Sequence, residues 1–282
     1  MPLFVVPTPI GNLKDITFRA IEVLKTSDLL LCEDTRRAIK LLNHYNIKVK
    51  MLSYHEHNEK GRLREVLDML DRGLKVALIS DAGSPCISDP GQLLICEAIK
   101  AGHEVDALPG PSAILPALIM SGLPSSHFSF LGFLPEEKAS RQKFLISMRN
   151  LPHTSLFYVA PHKLKRDLED IIEIWGDRRA ALVREISKIH QECLRGFLSD
   201  ILSGSREVRG EITLVVDGLG DTAIEEEDES WQKVAINMRK EGMAIKDIAK
   251  ILSESYGIEK NRVRRFVLGR ERMEEGRDES RE

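Results

Sequence analysis

From residue 3 to about residue 115, short apolar runs alternate with amphipathic stretches. Residues 3–6 are a run of strand length and 16–25 have helical spacing; 28–32 and 35–45 repeat the pair, and 49–53 add another strand. Leu63, Val66, Leu67 and Leu70 fall at i, i+3, i+4 and i+7, one face of a helix. Residues 76–80 form a continuous run of the kind buried on both faces of a sheet. A helix over 93–100 and a strand over 104–108 complete the series. This alternation predicts a mainly parallel sheet with right-handed crossovers.

A second α/β unit is predicted beyond a boundary near Gly122-Leu123-Pro124. Its strands are placed at 128–131, 155–159, 180–184 and 212–216, with helices over 141–149 and 161–175 and a further helical stretch at 197–202. The composition then changes. Residues 223–230 are an acidic linker, and 231–242, 244–256 and 259–268 read as three short helices. The expected organisation is an α/β domain over 1–121, a second over 122–222, the linker, a basic helical module resembling a helix-turn-helix over 231–270, and a disordered tail over 271–282.

Charge refines this picture. The chain of 282 residues has a net charge of −3, so nothing global announces a nucleic-acid partner, and any basic surface must be local. Residues 231–270 supply one, with ten Lys/Arg against four Asp/Glu. The four cysteines are widely spaced and form no CxxC pair; His55 and His57 flank Glu56 without a third ligand at useful spacing, so no metal is expected. No apolar stretch approaches the roughly 18 residues of a membrane span, and no signal peptide is visible, so the expectation is a soluble, cytoplasmic protein with no membrane partner.

Three segments at strand ends carry the chemical interest, since α/β proteins bind ligands outside the carboxyl ends of their strands. They are Pro7–Asn12 after the first strand, Ser80–Gly91 after the 76–80 strand, and Pro109–Ala113 after the fifth. All are rich in Gly, Pro and small residues, which let backbone approach a ligand closely. Each taken alone reads equally as a tight βα turn; three at one edge do not. None is a GxxxxGK[ST] or GxGxxG phosphate cradle, which argues against a nucleotide hydrolase or a dinucleotide-binding fold.

Seven segments in order extend the pattern: VVPTPIGNL (5–13), LCEDTR (31–36), ISDAGSPCISDPG (79–91), LPGPSA (108–113), GFLP (132–135), REISKIHQECLRG (184–196) and GEITLVV (210–216). In these the chain resembles the tetrapyrrole-methylase superfamily, and within it the branch that methylates small-subunit ribosomal RNA. The first loop has Thr8-Pro9-Ile10-Gly11-Asn12 where tetrapyrrole methylases have GxGPGD, which favours the RNA branch. One departure is Tyr158-Val159-Ala160-Pro161-His162, where that branch usually has Tyr-Glu-Ser before Pro-His; any role of that glutamate is lost or reassigned.

The resemblance implies two α/β domains with a cleft between them holding S-adenosylmethionine, usually within a homodimer. It implies cofactor contacts from Pro9, Ala82, Gly83, Ser84, Ile87, Ser112 and Ala113, with Val159 and Ile212 closing over the cofactor from the second domain. The implied reaction is methylation of a cytidine 2′-hydroxyl in small-subunit ribosomal RNA, free or in the assembled subunit. A ribose hydroxyl is a weak nucleophile, so a proton acceptor is expected. Glu33 and Asp34, and Glu185 paired with Lys188, are the candidates; capping of a helix and pairing with Arg36 or Arg37 is the alternative reading of the first two. Arg36 and Arg184 are placed on the RNA backbone, and Arg262, Arg264 and Arg265 of the basic module on phosphates, against the alternative of a helical pack that steadies the protein or a dimer. Two rival functions stay open from the sequence: methylation of a tetrapyrrole carbon, and a non-enzymatic nucleic-acid-binding ligand sensor.

Overall fold

The buried positions of the first strands divide cleanly by parity. In the computed structural model, which describes residues 2–204, 208–219, 229–240, 242–256, 260–261 and 263–268, β1 (Leu3–Val5), β2 (Leu29–Cys32), β3 (Lys50–Ser53), β4 (Val76–Leu78) and β5 (Val105–Ala107) form a parallel sheet of order β3-β2-β4-β1-β5. Leu30, Cys32 and Ala77 face α1 (Phe18–Thr26) and α2 (Thr35–His44), packing on Leu24, Leu41 and Leu42. Leu29, Leu31, Val76 and Leu78 face α3 (Glu59–Asp71) and α4 (Gln92–Lys100), packing on Val66, Leu70, Leu94 and Ala98. Successive side chains of a strand point to opposite faces, so a central strand covered on both sides must be apolar throughout. Helix starts are written locally: Thr17 accepts from Ala20 N at 3.1 Å and Asp34 from Arg36 N at 2.8 Å, satisfying backbone donors that the first turn leaves free.

The second sheet is mixed, with order β6-β7-β10-β8-β9. Its strands are β6 (Phe128–Phe133), β7 (Thr154–Val159), β8 (Arg179–Arg184), β9 (Glu192–Phe197) and β10 (Ile212–Val216); only β6 and β7 run parallel. One face carries α6 (Lys138–Met148), α7 (Leu164–Trp175) and α8 (Leu198–Gly204) over Phe157, Leu182 and Leu214. The other is covered by α5 (Ile114–Ser121), whose Ala117 and Leu118 pack on Leu156, Ala181, Val183 and Val215. Ile10 and Ala113, from loops of the first sheet, join this same cluster. The two sheets thus share an apolar seam, and residues Met1–Gly218 form one compact unit.

Two elements differ from the sequence expectation. Residues 192–197 form an edge strand and 114–121 a helix, neither of which the periodicity indicated. The long helix expected over 161–175 begins with a 3-10 turn at Pro161–Lys163 before α7.

Leu219–Glu282 is a separate unit. Its helices α9 (Glu229–Lys240) and α10 (Ile245–Tyr256), with helical residues at 263–268, enclose Trp231, Ala235, Ile248, Ala249, Leu252, Val263 and Val267. Arg264 and Arg265 are exposed on this unit. Arg262, the expected tail over 271–282 and residues 223–228 of the acidic linker lie outside the described residues.

Candidate active site

Backbone hydrogen bonds bring the three Gly/Pro loops to one rim. Thr8 and Gly83 exchange N–H···O bonds of 2.9 Å each, joining the loop after β1 to the loop after β4. The buried Thr8 hydroxyl donates to Ser80 O at 3.1 Å. Ser84 Oγ donates to Pro111 O at 3.5 Å, which ties in the loop after β5. At the head of α5, Ser112 Oγ accepts from Ile114 N at 3.2 Å. Stitching of this kind holds small residues open to a ligand at little further entropic cost on binding.

The rim opens on a cleft of about 370 Å³ between the sheets, within the size range of small-molecule sites. Ala82, Gly83, Ser84, Ile87, Ser112 and Ala113 line it from the first sheet, and Val159 and Ile212 from the second, together with Glu33. Pro9 lies outside the lining, and its neighbour Ile10 takes that place. Among the lining residues that the sequence reading passed over are Arg37, Asp81, Asp89, Phe133, Tyr158 and Glu211. Asp81 and Asp89 were in plain view within ISDAGSPCISDPG, and Arg37 directly follows LCEDTR. Their signal is the charge itself, in loops otherwise made of small residues.

The cleft is acidic. Burial first, then the Glu33 and Asp81 carboxylates, push the Asp89 carboxyl up to about 6 against an opposing Ser80 hydrogen bond. Burial and Asp81 also raise Glu33, against the pull of Arg37 and His55. Arg37 is committed to Asp81 at 3.1 Å. Across the cleft, burial holds the Tyr158 phenol up at about 12, so it stays a neutral donor.

The other expected catalytic residues sit differently. Asp34 caps α2 and pairs with Arg36 at 3.5 Å, and its carboxyl is lowered first by the Arg36 N–H. Glu185 and Lys188 are outside the cleft lining and form a clasp: Glu185 Oε1 accepts from Lys188 Nζ at 2.8 Å and Glu211 N at 2.9 Å. Those two bonds lower Glu185. Burial disfavours the Lys188 cation, but Glu185 and Glu211 outweigh it and leave the ammonium raised. Arg184 pairs with Glu192 at 2.6 Å, and Arg36 has an almost fully exposed side chain.

A two-sheet body with this cleft defines a class: residues 2–202 match the family of tetrapyrrole (corrin/porphyrin) methylases. Relatives named ribosomal RNA small subunit methyltransferase I are 45% identical in Halalkalibacterium halodurans, over 83% of this chain and 81% of that protein, and 48% identical in Thermotoga maritima, over 77% and 98%. The Bacillus subtilis relative of that name is 40% identical over 95% of this chain and 91% of its own length. Among solved structures, the uroporphyrin-III C-methyltransferase of Thermus thermophilus in complex with S-adenyl homocysteine has a TM-score of 0.55 at 18% identity, covering 78% of this chain and 98% of that one. Cobalt precorrin-4 methyltransferase has a TM-score of 0.58 at 14% identity, over 77% and 94%. The chain belongs to the tetrapyrrole methylase family, in its ribosomal RNA small subunit methyltransferase I branch.

Proposed function

We propose that this enzyme transfers a methyl group from S-adenosylmethionine to small-subunit ribosomal RNA, at the 2′-hydroxyl of a cytidine ribose, and works as a homodimer. The observation that carries the reading is the cleft itself, where three stitched loops meet the second sheet in a chain so similar to named ribosomal RNA methyltransferases. The lining suits the cofactor. Ile10, Ile87, Val159 and Ile212 offer apolar surface for an adenine, and Glu33, Asp81 and Asp89 offer negative charge to a cation. Ala82, Gly83, Ser84, Ser112 and Ala113 are small enough for backbone to reach the ligand.

When bound, S-adenosylmethionine supplies an electrophilic methyl carbon on a sulfonium. The protein's part is to orient the hydroxyl at about 3–3.5 Å from that carbon and to keep water out. The apolar wall from both sheets excludes water, and the Glu185–Lys188–Glu211 clasp fixes the loop after β8 against the start of β10 beside Ile212. Arg36, Arg184, Arg264 and Arg265 are the cations proposed to meet phosphate. Labelled S-adenosylmethionine incubated with unmethylated small subunits should label the RNA, and nucleoside mass spectrometry should find 2′-O-methylcytidine. Donor binding with no label on any RNA would refute the reading and favour a sensor.

A further inference from the structure

We propose that the ring of Phe133 is the platform on which the base of the target nucleotide stacks as its ribose enters the cleft. The inference rests on the ribosomal RNA reading of this site. Phe133 lines the cleft at 56% exposure, whereas Val159 and Ile212 of the same sheet line it at 3% each. An exposed apolar side chain is ordinary by itself; one aimed into a cleft by an irregular strand is not. The charges around it define what it can receive. Glu33, Asp81, Asp89 and Glu211 line the cleft, and its Arg37 is paired with Asp81 at 3.1 Å. A phosphate is repelled there, so the part of the RNA that enters is the uncharged nucleoside. Every base has a π-face, and unstacked bases of RNA are held largely by stacking on aromatic side chains.

A backbone irregularity aims the ring. Along a regular strand Phe130 and Phe133, an odd number of residues apart, would point to opposite faces of the sheet. In β6, Phe130 pairs with Leu156 and Phe133 with Tyr158, so Leu131 and Gly132 together stand opposite the single residue Phe157. The extra residue is a β-bulge, a device that re-aims a side chain. Gly132 takes a φ of +67°, which glycine adopts without steric cost. Leu131 therefore packs with Phe157 on the face of α6 and α7, while Phe130 and Phe133 both lie against Tyr158, with ring centroids 4.8 and 5.5 Å away. Those are the separations of favourable aromatic pairs. A Cβ on Gly132 would stand 3.8 Å from Ser88 Oγ, so the bulge borders the loop after β4. Beyond Phe133 the chain is anchored again: Leu134 is buried, and the buried Arg141 donates to Pro135 O at 3.1 Å. The ring is thus held in place before a ligand arrives, which lowers the entropic cost of binding.

The test uses the full chain and unmethylated small subunits. Phe133→Ala should raise KM for the subunits by about 5–150-fold, the worth of one stacked base. Its kcat should stay within about threefold of wild type, since the stack is made in ground and transition states alike. Phe133→Tyr and Phe133→Trp keep a flat face and should hold KM within about threefold of wild type. Phe133→Leu keeps apolar bulk without that face, so it should fail as the alanine variant does, and it carries the test if Phe133→Ala does not fold. Calorimetric affinity for S-adenosylhomocysteine should stay within about threefold in all four variants. A KM rise below about fivefold in Phe133→Leu overturns the assignment, because a lost stack costs more. So does an equal loss in Phe133→Tyr, which would make the ring's packing the issue rather than its face. Weakened S-adenosylhomocysteine binding in Phe133→Leu also overturns it, by placing the ring on the cofactor. Wild-type enzyme that labels no RNA sinks the functional reading instead.

Discussion

Replacing Gly91 by alanine incurs two separate costs, one of backbone conformation and one of packing. Gly91 stands before α4 with φ +124° and ψ −18°, a conformation that L residues avoid. A methyl group there would also lie 2.6 Å from Leu78 Cδ2 and 3.0 Å from Cys86 Sγ. Leu78 is 1% exposed in a central strand, so it has nowhere to go. The backbone term is about 1–3 kcal/mol, and forcing a methyl into a packed site adds about 1–3 kcal/mol. The expected loss is therefore about 4 kcal/mol, near the middle of that sum. Gly102 is the control: its φ is +84°, with nothing within 4 Å of a methyl, so Gly102→Ala meets the backbone term alone, about 1–2 kcal/mol. Urea unfolding followed by circular dichroism, compared at equal m-values, reads the difference. Gly91 also lies two residues past Asp89, so any relief gained by shifting the loop must appear as weaker S-adenosylhomocysteine binding. Equal stability losses for both variants, with donor affinity unchanged in Gly91→Ala, would refute the steric argument.

Three further outcomes are expected. Arg141 is 2% exposed, holds Asp170 at 2.6 Å and donates to Pro135 O and Glu136 O; Arg141→Met should cost about 3–5 kcal/mol in urea unfolding because Asp170 is left buried and unpaired, and Arg141→Met with Asp170→Leu should regain most of it. Because Asp89 is raised from 3.8 to about 6 on folding, the stability from its protonated form is complete below 3.8 and lost as pH rises through 6; Asp89→Asn should flatten the fall in thermal midpoint across that window. Arg264→Glu with Arg265→Glu should weaken small-subunit binding and reduce the slope of log K against log salt by about 1.5–2 if both meet phosphate, while S-adenosylhomocysteine affinity holds; unchanged subunit binding would favour the packing role for these exposed cations.

What the residue pattern could and could not disclose follows from which forces are local. The five strands of the first sheet were legible because strands covered on both faces must be apolar, as in Leu29–Cys32 and Val76–Leu78. Their spatial order was not, since β1 lies between β4 and β5 through pairings as distant in sequence as Leu3 with Val76 and Leu3 with Val105. α5 carries no periodic signal because Ile114–Ser121 is apolar on every side, leaving Leu115 and Ile119 exposed. Its Pro116 also reads as a breaker, yet it sits in the first turn, where a backbone N–H is not needed. β9 is an edge strand whose alternation Arg195 and Gly196 blur. At the site, the turn-formers were visible but the acids beside them were read as part of the turns, since Asp next to Gly and Pro ordinarily is. What converts Asp81 and Asp89 from turn residues into cleft residues is tertiary: the Thr8–Gly83 bridge and the left-handed turns at Cys86 and Ser88 carry the loop back over the sheet edge. The catalytic reading of this fold therefore depends on loop conformation more than on residue identity, and that is why strain at Gly91 and charge at Asp89 should be felt in the same cleft.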